Sequence, residues 1–191
     1  MIGRKSEQKE LLRALESAQS EFVALYGRRR IGKTYLVNEF FNGRFAFQAT
    51  GIEGGTKREQ LDLFREDLRR HGLAKCPRLT SWIMAFSRLS DLLETSAERK
   101  KVVFLDELPW FDTPCAGFLR AFEAFWNGWA SARKDILLVV CGSATTWMLK
   151  KMLRARGGLH NRVTVPSQKV STTLRVGDLS LSVHFLVLNR T

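Results

Sequence analysis

Eight residues, Gly27 to Thr34, read GRRRIGKT, and their setting restricts the fold more than any other part of the chain. Phe22 to Tyr26 before them is an apolar run rich in strand formers. Lys33 to Phe41 after them carries Tyr35, Leu36, Phe40 and Phe41 at helical spacing. A strand that enters a helix through such a loop is the setting the G-x-x-x-x-G-K-[ST] phosphate-binding pattern (Walker A) demands. Glycine lets the backbone turn its N–H groups inward on phosphate oxygens, and the start of the next helix adds partial positive charge there. On this reading Gly27, Arg28, Arg29, Arg30, Ile31 and Gly32 form the cradle. Lys33 reaches the β- and γ-phosphates, and the Thr34 hydroxyl ligates Mg2+. The three arginines either raise the local attraction for a triphosphate or face solvent, because the cradle itself uses backbone groups.

A second segment, VVFLDE from Val102 to Glu107, is an apolar strand that delivers two acids at its C-terminal end, where ligands bind in parallel sheets (Walker B). Asp106 is placed to hold Mg2+ through water, and Glu107 to orient or deprotonate an attacking water. A third, LLVVCGSAT, ends a buried strand at Gly142 and Ser143. The Ser143 hydroxyl either contacts the γ-phosphate or the water, or caps a helix starting at Ala144. A fourth, GGLHNR, offers Arg162 or His160 as a charge on the leaving phosphate, in cis or from a neighbouring subunit. A solvated loop arginine is the plain alternative.

The rest of the chain alternates strand and helix. A helix capped by Ser6 runs to about Ser17, a second strand spans Arg44 to Thr50, and helices cover Thr56 to Arg70 and Thr80 to Thr95. Phe118, Phe122, Phe125, Trp126 and Trp129 fall on one stripe of a helix from Ala116 to Ser131, a core or subunit face more than a base-stacking platform. Ala144 to Arg154 reads as a further helix. Val102 to Leu105 and Ile136 to Cys141 are unalternated apolar runs, which suit strands covered on both faces. The fold class is therefore α/β, a three-layer P-loop sandwich with a mainly parallel sheet. From Val163 helical periodicity is lost and acids nearly vanish apart from Asp178, so the division is a core domain at 1–162 and an atypical tail at 163–191 of weak strand or disorder. Leu181 to Leu188 alternates enough to pair with a sheet.

On these residues the chain resembles the prokaryotic and archaeal-type ATPases of the AAA-like P-loop class, related to the STAND NTPases. The carriers are Gly3-Arg4-Lys5-Ser6-Glu7, Leu25 to Thr34, Phe104 to Trp110, Cys141 to Met148 and Gly157 to Arg162, within roughly the first 165 residues. The resemblance implies a fold with an additional catalytic glutamate (ASCE type), in which the strand bearing Ser143 lies between those bearing the phosphate loop and Asp106. It implies that Gly3 and Arg4 lie near the adenine, that Ser143 is a polar sensor, and that Arg162 is an arginine-finger candidate. ATP and Mg2+ are the implied cofactors. Such proteins continue with a further core strand, a helical lid and a winged-helix or nuclease-like domain, none of which matches residues 165–191. The expectation is a truncated or shifted reading, with Leu181 to Leu188 as the stand-in for the strand beside Phe22 to Tyr26.

Thirty-one Lys and Arg against 19 Asp and Glu give a net charge of +12, which favours an anionic partner. Lys150, Lys151, Arg154 and Arg156 could contact nucleic acid phosphates or simply be solvated. Three enzyme and binding readings follow: a Mg2+-dependent ATPase, a nucleotide-binding switch with little turnover, and a basic nucleic-acid-binding module. A homo-oligomer is compatible with all three. Cys76, Cys115 and Cys141 show no CxxC spacing, which argues against a disulfide framework or zinc site and for small buried hydrophobes in a reducing cytoplasm. No apolar stretch approaches the ~20 residues that span a bilayer, so no membrane partner is expected.

Overall fold

The computed structural model describes residues 4–143, together with the backbone of 170–176 and 179–188. The elements run α1 (Lys5–Glu16), β1 (Glu21–Gly27), α2 (Lys33–Phe41), β2 (Phe47–Thr50), α3 (Lys57–Arg70), α4 (Trp82–Thr95), β3 (Lys101–Asp106), α5 (Leu108–Phe111), α6 (Phe118–Phe125), β4 (Ile136–Gly142), β5 (Val170–Val176) and β6 (Leu179–Leu188). The strands form one sheet in the order β2-β3-β4-β1-β6-β5. Every pairing is parallel except that of the edge strand β5 with β6.

The unalternated strands divide their side chains between two cores, as residues of period two must. Phe22, Ala24 and Tyr26 of β1, Val103 and Leu105 of β3, and Ile136, Leu138 and Val140 of β4 face the larger core, shared with α3 to α6. Val23 and Leu25, Val102 and Phe104, and Leu137, Val139 and Cys141 face the smaller one, under α1 and α2. The α/β three-layer sandwich is thus observed. β4 lies between β1 and β3, so the ends of all three strands meet at one edge of the fold. β6 runs parallel to β1 with Phe22 opposite Val183 and Gly27 opposite Leu188, so the Leu181–Leu188 segment does supply the second neighbour of β1.

The helices depart from the sequence expectations in instructive places. α1 starts two residues earlier than a Ser6 cap allows: Arg4 holds the cap position, and the Ser6 hydroxyl donates to Glu7 instead. On α2 the buried face is Leu36, Val37 and Phe41, while Tyr35 is 58% exposed. β2 begins at Phe47 rather than Arg44, although the Ala46 N–H already donates to Val102 O. The aromatic helix is α-helical only to Phe125 and continues as one turn of π-helix, Trp126–Ala130. Its stripe is core, with Phe118, Phe122 and Phe125 buried against Trp82 and Phe86 of α4 and Trp126 against Phe22 of β1. Cys76 and Cys141 are buried, but Cys115 is exposed, against expectation. The helix expected at Ala144 to Arg154 lies outside the described residues.

α3 opens with a complete capping box. The Thr56 hydroxyl accepts from Glu59 N–H at 3.3 Å, and the Glu59 carboxylate accepts from Thr56 N–H at 2.7 Å, which holds the Glu59 carboxyl below its ordinary value. Thr56→Ala should therefore lower stability by about 1 kcal/mol, read as a lower urea midpoint at unchanged slope.

At the opposite end of the sheet from the strand tips, Lys100 Nζ donates to the carbonyls of Ser17, Gln19 and Lys134. Next to it Asp135 accepts from Lys101 Nζ at 2.8 Å and from Arg133 Nε and a terminal nitrogen, both at 2.8 Å. This clasp joins the starts of β3 and β4 to the α1–β1 turn.

Candidate functional site

The loop after β1 brings together most of the residues singled out by the motif. Gly32 has φ 79°, a left-handed conformation that glycine adopts without cost, and its carbonyl accepts the first backbone bond of α2 from Leu36 N–H at 2.9 Å. Arg30 takes φ 63° within the same loop. Lys33 is only 6% exposed, and its Nζ curls back to donate to Gly27 O at 3.1 Å and Arg28 O at 2.9 Å. Among the described residues no carboxylate lies within ion-pair distance of it. A buried ammonium faced only by carbonyl dipoles is a cation suited to a second, anionic partner.

Thr34 and Asp106 meet as the spacing requires. The Thr34 hydroxyl donates to Asp106 Oδ2 at 2.8 Å, across 72 residues of sequence. The other Asp106 oxygen accepts from Glu107 N–H at 2.9 Å, so this 5%-exposed carboxylate is oriented at both ends. Glu107 itself sits at φ 46°, ψ 47°, a left-handed position uncommon for a non-glycine residue. Its carboxylate accepts from the Ser143 hydroxyl at 3.2 Å. Ser143 therefore points at the acid, and its alternative role as a cap of Ala144 lies outside the described residues. Behind them burial pushes the Cys141 thiol well above its ordinary value, with Asp106 adding to the effect.

The arginines of the loop behave differently from one another. Arg28 and Arg30 are exposed, but Arg29, also exposed, is tied down. It donates to Glu53 at 2.9 Å, and its guanidinium lies 5.2 Å from the centroid of the Trp110 ring. Glu53 holds the Arg29 guanidinium above its usual range, with Glu107 a smaller contributor. Arg4 donates to Ile31 O, which brings the N-terminal segment against the phosphate loop. Gly3, His160 and Arg162 lie outside the described residues.

Four residues to which the sequence assigns no role join this group. Gly51 N–H donates to Asp106 O at 3.0 Å, and a Cβ at Gly51 would stand 2.7 Å from Glu107 O, which no side chain tolerates without backbone movement. Glu53 and Trp110 bracket Arg29. Gln60 is fully buried and bonds to both flanking segments. The LPW stretch directly after Glu107 was the available signal for Trp110. Gln60 gave none, being one polar residue in a charged helix.

No family model matches the chain. It is 26% identical over 167 residues to an uncharacterised protein of Methanocaldococcus jannaschii, covering 85% of this chain and 34% of that protein. Its fold is similar to that of the Walker-type ATPase PABY2304 of Pyrococcus abyssi, with a TM-score of 0.60 at 17% identity over 98% of this chain and 54% of the other. It is also similar to the ORC2 protein of Aeropyrum pernix, solved as ADPNP and ADP complexes, with a TM-score of 0.55 at 20% identity over 82% of this chain and 44% of the other. The chain thus spans about a third of the curated relative and about half of each of these structures. These likenesses, together with the parallel sheet, show the α/β fold of the P-loop ATPase class.

Proposed function

We propose that the chain is a P-loop module that binds ATP and hydrolyses it with Mg2+. The observation that carries this reading is the convergence, at one end of the sheet, of the Lys33 ammonium and the Thr34–Asp106 pair at 2.8 Å. Mg2+ in nucleotide sites is held by one or two protein oxygens, with phosphate and water completing its shell. A hydroxyl and a carboxylate on one spot fit that donor set. No cluster of three His, Cys, Asp or Glu that could hold a metal without such help occurs among the described residues.

In this reading Lys33 leaves the two loop carbonyls to neutralise β- and γ-phosphate oxygens, and the backbone of Gly27 to Gly32 wraps the phosphates. Thr34 directly and Asp106 through water would hold the metal, whose chemistry there would be to neutralise phosphate charge. Glu107 accepts the proton of, or aligns, the attacking water, with Ser143 fixing its carboxylate. Arg4, which donates to Ile31 O, is the residue that the family resemblance sets near an adenine base. Arg162 stays the candidate for a finger supplied in cis or by a neighbouring copy. The 1–162 core is the unit of function, the STAND-related class its setting, and 163–191 contributes the two further strands of the sheet.

The decisive test is thermal unfolding with ATP and Mg2+. A ligand at a hundred times its Kd stabilises by about 2.7 kcal/mol, which for a chain of this size raises Tm on the order of 5–10 °C. Lys33→Ala should abolish the rise while leaving the unliganded Tm within a few degrees. A parent protein with no ATP-dependent rise would reject the proposal.

A further inference from the structure

We infer that Gln60, a buried residue of α3 remote from the phosphate loop in sequence, positions Glu107 for its task. The inference rests on the reading of Glu107 as the residue that orients the attacking water. Gln60 is 0% exposed and spends its amide on two different segments. Its Oε1 accepts from Ile52 N–H at 3.2 Å, and its Nε2 donates to Ile52 O at 2.7 Å and to Trp110 O at 3.0 Å. The Trp110 peptide passes the restraint on, because Trp110 N–H donates to Glu107 O at 2.9 Å. That same carbonyl is the atom against which Gly51 packs, one residue before Ile52.

One side chain therefore fixes both walls of the acid-bearing turn. On one side it pins the β2–α3 segment, whose Gly51 N–H holds Asp106 O and whose Glu53 holds Arg29. On the other it pins α5, which follows Glu107 directly and carries the Trp110 ring under the Arg29 guanidinium. Glu107 needs such support. A left-handed backbone at a non-glycine residue persists only where its surroundings over-determine it, and α5 is a single turn with Pro109 in it. Packing alone would not require glutamine at this position, since a methionine fills similar space. The three hydrogen bonds are what methionine lacks.

Gln60→Met tests this with two readouts. Amide hydrogen exchange should accelerate by about tenfold or more at 51–55 and 107–112 and stay unchanged at 33–41. Single-turnover ATP hydrolysis should fall about 10- to 100-fold, as for a reacting group displaced by a fraction of an ångström to an ångström, with ATP affinity within about threefold of the parent. Unchanged exchange in the two segments overturns the inference whatever the turnover, as does accelerated exchange with parental hydrolysis, or a parallel fall in affinity and rate. A parent that shows no hydrolysis counts against the proposed function, and exchange then decides the positioning role alone.

Gln60→Glu supplies an independent arm that also serves if methionine unfolds the domain. An ionised carboxylate has no donor for Ile52 O and Trp110 O, whereas the protonated acid regains one. Turnover of Gln60→Glu divided by that of the parent should therefore rise as pH falls from 8 to 6, and a flat ratio would overturn the inference.

Discussion

Glu107→Gln should bind ATP and Mg2+ within about threefold of the parent while its single-turnover hydrolysis falls by about 10²- to 10⁴-fold, the usual contribution of a positioned acid or base. The substitution keeps shape and removes only charge and proton affinity. The amide oxygen can still accept from Ser143, and the left-handed backbone asks nothing of the side-chain terminus. In the proposed site binding rests on Lys33, Thr34 and Asp106, none of which bonds to the Glu107 side chain. Rapid-quench measurement of one turnover, with binding followed by a fluorescent ATP analogue, separates the two. Equal and negligible hydrolysis in parent and variant, with binding retained, would instead mark the chain as a nucleotide-binding switch.

Asp135→Ala should lower stability by about 3–5 kcal/mol because it strands a buried cation. Lys101 is that cation: its side chain is 8% exposed, and its other partner at hydrogen-bond distance is Glu98 O. The Asp135 carboxyl is held well below its ordinary value, first by Arg133's hydrogen bonds, against the opposing pull of burial, with Lys101 adding to it. A depressed carboxyl pKa stabilises the fold fully above the unfolded value, near pH 4, and the contribution is lost as pH falls below that. Denaturant titrations between pH 7 and pH 3 should show the parent losing stability below about pH 4 more steeply than Asp135→Asn. Parallel acid limbs would show that the clasp carries no linked protonation.

The parts of the site that share one chain segment were legible before any coordinates. GRRRIGKT between an apolar strand and an apolar-faced helix specifies α2 from Lys33 to Phe41, because the loop, the helix dipole and the periodicity all agree. Two acids ending a buried run likewise mark Asp106, and because each motif is local, its meeting with Thr34 across 72 residues was legible too. What escaped was built from pairs distant in sequence or from chemistry without period. α5 is four residues long and contains a proline, too short for helical spacing to register. The π-turn at Trp126 breaks a pattern that its own aromatic spacing continues. Gln60 reads as one more polar residue of a charged amphipathic helix, since its meaning lies in the carbonyls of Ile52 and Trp110, 8 and 50 residues away. Tyr35 illustrates the converse, an aromatic residue at the spacing of the stripe that the turn of α2 leaves in water.

The pairing of β1 with β6 has a kinetic corollary. About 160 residues of chain separate Phe22 from Val183, so this union of β1 with its outer neighbour is the most distant ladder among the described residues. Loop-closure entropy grows only slowly with span, so what sets β6 apart is its place in the chain, after β1, β3 and β4. During synthesis the cradle's own strand would therefore wait with one side unzipped, exposing a row of amides and carbonyls until the ribosome delivers its last partner.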